Sequence, residues 1–292
     1  MLGVSLGNVS LLRLDQVGGP APGNKSFKLR NYLIQAQDTG IPRLVSFGGS
    51  WSNHLHALAA VGYRHGIETV GIVRGEEDEQ ESPMLMDARR WGMHIMHVSR
   101  SEYRKRNEYH YQQQLAARYA PCLLIPEGGA GAVGASGCGA IADMIRHSPS
   151  PARRIVVPVG SGTTLAGLAA NLDNSFELLG ISALKGATDL EQRVQDVLRV
   201  MTKAGHARWR ILHEFHCGGF ARVDTALREF ILAFEAIHGV ELDPLYTGKM
   251  LFAIHRLLER GEWSVDVPIL AVHTGGLQGR RGFPWLTEVP IE

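Results

Sequence analysis

From residue 43 to residue 273 the chain repeats one alternation: an apolar run of strand length, a short polar or glycine-rich turn, then a longer segment with helical spacing of its apolar residues. Strand-length runs fall at residues 44–47, 69–73, 94–98, 122–125, 155–159, 178–181, 211–215 and 269–273. Helical spacing covers 29–37, 53–65, 82–91, 101–119, 165–172, 189–204, 224–238 and 249–259. Strands separated by helices are too far apart in sequence for hairpins and pair in parallel across the helical crossovers. The expected fold class is therefore α/β, with two open, twisted, mostly parallel sheets flanked by helices. Ser148-Pro149-Ser150-Pro151 is the clearest break in composition, because two prolines and two serines stop a helix.

Bulk properties exclude several kinds of function. Thirty basic and 29 acidic residues leave a formal charge of +1, so no positive excess points to nucleic acid or to an anionic membrane. Three cysteines, Cys122, Cys138 and Cys217, stand far apart, without metal-finger spacing or a disulfide framework. No run of 18 apolar residues occurs, and residues 1–10 lack a basic segment followed by a long apolar one. A cytoplasmic protein acting on a small molecule, with no membrane and no metal, fits these totals. His54 and His56 stand two apart in a helical pattern and point in different directions, with no acidic cluster beside them.

Several turns carry chemistry-bearing residues. Pro22-Gly23-Asn24-Lys25-Ser26-Phe27-Lys28 opens a helix, where unpaired amides favour anions; Lys25 and Lys28, three apart, share a face. Ser46-Phe47-Gly48-Gly49-Ser50-Trp51-Ser52-Asn53-His54 brings a strand into a second helix start, suited to a carboxylate and capped by Ser52 or Asn53. Gly160-Ser161-Gly162-Thr163-Thr164 follows a strand and precedes a helix; glycines admit an anion and hydroxyls supplement the amides, which describes a phosphate cup. It is neither a P-loop nor a clean dinucleotide fingerprint, so a nicotinamide-dependent oxidoreductase is the weaker reading of this loop. Asp243-Pro244-Leu245-Tyr246-Thr247-Gly248-Lys249 and His273-Thr274-Gly275-Gly276 complete the set.

In this order the five motifs resemble the pyridoxal-phosphate enzymes of the tryptophan-synthase β-subunit superfamily (fold type II). Nearest among them is the group containing D-cysteine desulfhydrase and 1-aminocyclopropane-1-carboxylate deaminase. The resemblance implies pyridoxal 5'-phosphate held as a Schiff base on Lys25, with Asn24 beside it and Lys28 neutralising charge near the phosphate. It further implies Gly160, Ser161, Gly162, Thr163 and Thr164 on the phosphate and Asn53 on the phenolic oxygen. Ser52, Asn53, His54 and Tyr246 are then the substrate-binding residues, with Lys25, Ser52 and Tyr246 catalytic. Thr247 and Thr274 stand where deaminases carry glutamate and leucine. A carboxylate at the pyridine nitrogen keeps it protonated and deepens the electron sink; a hydroxyl does not. Both threonines are candidates for that nitrogen and point to β-elimination from a small amino acid, as in D-cysteine desulfhydrase, over cyclopropane opening.

Trp51, Ala130, Gly131 and Phe220 depart from the family's glutamine, serine, asparagine and tyrosine. These departures keep open a protein that binds the cofactor without turnover, as a carrier or regulator. The family also implies a homodimer, a start of the chain shorter than is usual, and two domains. The larger, cofactor-binding domain is expected over 1–39 and 141–292, and a smaller α/β domain over 40–140.

Overall fold

The computed structural model describes residues 6–17, 19–77, 80–201 and 206–287. Among the described residues nine strands form two sheets: β1 (Val9–Arg13), β2 (Arg43–Gly48), β3 (Glu68–Arg74), β4 (His94–Val98), β5 (Leu123–Leu124), β6 (Arg154–Val159), β7 (Glu177–Ser182), β8 (Arg208–Leu212) and β9 (Ile269–His273). One sheet runs β1-β9-β6-β7-β8 and the other β4-β3-β2-β5, and every pairing in both is parallel. The chain divides into two compact units, residues 1–17 with 138–277 around the first sheet and 18–137 with 278–292 around the second.

Within the four-stranded unit the pleat sorts side chains by period two onto opposite faces. Leu44 of β2 joins Leu29, Tyr32, Leu55, Leu58 and Ile125 on one face. Val45 and Phe47 join Val70, Ile72, Tyr103, Tyr111 and Leu115 on the other. A sheet covered on both faces has near-continuous apolar strands, which is why β2 is buried at five of its six positions.

Three helices of this unit matter for the site: α1 (Asn24–Thr39), α2 (Asn53–His65) and α3 (Pro83–Arg90). Ser52 caps α2, accepting from the Leu55 amide at 3.2 Å, and Gly66 ends it in a left-handed conformation. Ser82 likewise caps α3 ahead of Pro83.

The sequence reading needs amendment in four places. Helix α1 begins at Asn24, five residues before the apolar periodicity, so Lys25 lies inside its first turn. The segment expected as one helix over 101–119 is Arg100–Arg104, a 3-10 turn at Lys105–Asn107 and Tyr109–Arg118, interrupted where Glu108 is extended. Strand β8 sits at Arg208–Leu212, ahead of the expected run, because the edge of a sheet tolerates polar residues. The helix expected over 189–204 spans Leu190–Met201, and residues 202–204 lie outside the described residues.

Candidate cofactor and substrate site

In the four-stranded unit the chemistry gathers at two helix starts. Lys25 stands at the second position of α1 and Lys28 one turn on, 2% exposed, its Nζ donating to Gly128 O at 3.4 Å. His54, in the first turn of α2, is also 2% exposed, and its Nε2 lies 2.7 Å from Ser46 Oγ. The Ser46 hydroxyl hydrogen goes to Ile125 O at 2.7 Å, so the ring must donate from Nε2. That tautomer leaves Nδ1 as an acceptor, and no group of the described residues meets it. Burial, then the charges of Lys25 and Lys28, hold the imidazole well below its usual pKa, and it is neutral. His56 faces Asp87 instead, at 3.2 Å, so the two histidines serve different partners.

Asn53 opens α2, and its Oδ1 accepts from Gln278 Nε2 at 2.6 Å; the same Nε2 lies 3.2 Å from Trp51 O. The residues after β9 thus fold back onto the Ser52-Asn53 loop of their own unit. Sequence reasoning missed Gln278, which carries no motif signal and meets a partner 225 residues away.

In the five-stranded unit, the turn Gly160–Thr164 joins β6 to the helix Thr163–Asn171. Ser161 Oγ and Thr163 Oγ1 lie 3.0 Å apart, and the helix start has no side-chain cap at Gly162. A Cβ at Gly160 would come 3.2 Å from Tyr246 Oη and 3.1 Å from its ring. The turn is thus a cradle closed by backbone amides, two hydroxyls and a phenol ring, and it fits a phosphate dianion.

Tyr246 sits at the start of the helix Thr247–Glu259, with the Phe220 ring centroid 6.0 Å from its own. Phe220 belongs to a loop held by Lys249, a fully buried lysine whose Nζ donates to Gly219 O at 2.7 Å; burial lowers its pKa. In the same loop Cys217 is buried and its thiol is pushed up to about 11, mainly by burial, which makes it a weak nucleophile.

The structure separates the two threonines. Thr247 is fully buried; its hydroxyl donates to Asp243 Oδ2 at 2.6 Å and accepts from the Asp243 amide at 2.9 Å. The Asp243 carboxylate also accepts from the amides of Leu245, Tyr246 and Thr247, at 3.0, 2.8 and 2.9 Å. Thr247 is thus one half of a helix cap. Thr274 follows β9 and is 6% exposed.

The chain belongs to the family described as pyridoxal-phosphate dependent enzymes, whose model matches residues 3–275. A relative from Thermotoga maritima, provisionally named 1-aminocyclopropane-1-carboxylate deaminase, is 28% identical, the match covering 93% of this chain and 89% of that one. D-cysteine desulfhydrase of Salmonella choleraesuis is 27% identical, covering 93% and 88%. The crystal structure of an ACC deaminase homologue superposes with a TM-score of 0.83 at 25% identity, over 96% of this chain and 89% of that one. The protein is a pyridoxal-phosphate enzyme homologous to both, and its cofactor is pyridoxal phosphate. No helix among the described residues is long and apolar enough to cross a membrane.

Proposed function

We propose that the protein eliminates a β substituent from a small amino acid, as D-cysteine desulfhydrase does, releasing pyruvate and ammonia, with sulfide when the substrate is D-cysteine. The observation that carries this reading is the pair Thr247 and Thr274 in place of a carboxylate and a leucine, with the Thr247 hydroxyl already bound to Asp243. That leaves Thr274 as the hydroxyl for the pyridine nitrogen. In this reading the Gly160–Thr164 turn would hold the phosphate, Lys28 would neutralise charge, and Lys25, beside Asn24, would hold the aldehyde. Pyridoxal phosphate, when bound, supplies an electron-accepting ring that stabilises the charge left at Cα.

The α2 amides, Ser52 and Asn53 bind and orient the substrate carboxylate. Lys25 would take the Cα proton, and the Cβ–S bond would break with its electron pair leaving on sulfur. Tyr246, whose ring lies beside Gly160, would protonate the departing sulfur. His54 ties the start of α2 to Ser46 of β2. As in the family, the enzyme works as a homodimer, and its three free cysteines suit the cytoplasm.

The test is absorption of the purified holoenzyme beside Lys25→Ala, with pyruvate and sulfide assayed on adding D-cysteine. The wild type should bind the cofactor covalently and release both products, and Lys25→Ala neither. Release of ammonia and a four-carbon keto acid from 1-aminocyclopropane-1-carboxylate, with none from D-cysteine, would replace this reading by the deaminase one, which the name of the Thermotoga maritima relative suggests. Bound cofactor with no keto acid from any amino acid would leave the non-catalytic carrier.

A further inference from the structure

The strap that follows β9 meets the substrate loop through hydrogen bonds whose direction can be worked out. The carbonyl of Trp51 can only accept, so the Gln278 atom 3.2 Å from it is the NH2 group. That same NH2 lies 2.6 Å from the Asn53 side chain, so the Asn53 atom facing it is its oxygen. Gln278 Oε1 turns the other way, 3.5 Å from Arg281 Nη2. Arg281 in turn donates to Asp87 Oδ2 at 2.7 Å, and Asp87 also faces His56 of α2. Burial opposes ionisation of Asp87, but Arg281 and His56 outweigh it and hold the carboxyl below its usual range, so this anchor is charged at neutral pH. A Cβ at Gly282 would touch the Trp51 indole at 3.4 Å, so the strap also lies flat on that ring.

We propose that Gln278 is a positioning residue which fixes the Asn53 amide with its oxygen towards the strap and its NH2 turned outward as a donor. An asparagine amide has two nearly isosteric orientations, and only one of them offers a hydrogen to an anionic oxygen. Gln278 selects that one and Arg281 holds Gln278. The inference rests on the reading that Asn53 donates to the phenolic oxygen of the cofactor.

The experiment substitutes Gln278 by side chains of opposite hydrogen-bonding sense and reads the holoenzyme by absorption and by cofactor retention. Gln278→Lys supplies only donors and keeps the Asn53 orientation. Gln278→Met supplies neither and lets the amide rotate. Gln278→Glu supplies only acceptors and reverses it, turning Asn53 Oδ1 towards the cofactor oxygen. Expected are a near-native visible band for Lys, a partial loss for Met, and the largest shift for Glu, with a cofactor dissociation constant raised about tenfold. Asn53→Ala is the reference, and circular dichroism of each variant confirms folding. A merely structural role predicts equal losses for Lys, Met and Glu, and that result overturns the proposal. If Asn53→Ala shifts the band but the Gln278 variants keep the wild-type spectrum, the Asn53 reading stands and the role of Gln278 falls. If Asn53→Ala is silent, both fall.

Discussion

Gly137→Ala is expected to damage stability and turnover together. Gly137 closes the helix Ala132–Gly137, which packs on α1. A Cβ there would lie 2.1 Å from the carbonyl oxygen of Phe27, 3.1 Å from its carbonyl carbon and 3.6 Å from Lys28 Cα. These are main-chain atoms in the turn between Lys25 and Lys28, and they cannot rotate aside. Restoring an ordinary 3.4 Å contact to the oxygen requires the helices to part by about 1.3 Å. Overpacking of this kind costs about 1–3 kcal/mol. With about 2–4 °C of melting temperature per kcal/mol in domains of this size, the holoenzyme should melt about 2–12 °C lower. A displacement near 1 Å of the element bearing a reacting group costs about a hundredfold in rate, so kcat/KM should fall by that order. Gly139→Ala is the control: its nearest neighbour is the amide group of the Asn171 side chain, at 3.3 Å, and it should be neutral or slightly stabilising. Thermal unfolding and steady-state kinetics check both. A Gly137→Ala enzyme with wild-type melting temperature and kcat/KM would refute the claim that this contact sets the position of α1.

Three further predictions follow from the site. His54 is depressed in the folded state, so between its folded pKa and the ordinary value near 6.5 the unfolded chain binds the extra proton. Its contribution is present above about pH 6.5 and is lost as pH falls, at up to about 1.4 kcal/mol per unit, and urea unfolding at pH 7.5 and 5.5 should show a shallower loss in His54→Gln. Thr247→Val leaves the buried Asp243 amide without its acceptor and should cost about 1–3 kcal/mol with an unshifted cofactor spectrum. Thr274→Val should do the reverse, altering the spectrum and turnover while changing the melting temperature little; a silent Thr274→Val would remove it from the pyridine nitrogen.

What the sequence disclosed depended on how locally each feature is determined. Helix α2 is found at the expected 53–65 and strands β4 and β9 at 94–98 and 269–273, because caps, glycines and apolar runs act over a few residues. The interruption at Glu108 was illegible, since the polar face of 101–119 has helical spacing on both sides of it. The difference between Thr247 and Thr274 was equally hidden: the motif supplies two hydroxyls, and only the fold shows that Asp243, four residues earlier, consumes one of them. Gln278 and Arg281 could not have been picked out, because their partners Asn53 and Asp87 are brought to them by tertiary structure alone.

The register of β1 against β9, Val9 with Ile269 through Arg13 with His273, bears on how the protein is made. During synthesis residues 18–137 leave the ribosome with all four strands of their sheet in hand and can collapse early. The five-stranded sheet must keep β1 waiting for nearly the whole of translation, since its neighbour β9 is among the later segments to emerge. Gln278 and Arg281 emerge later still. The contacts of Gln278 with Asn53 and of Arg281 with Asp87 are therefore among the last tertiary contacts of their unit to form, long after its four strands have emerged.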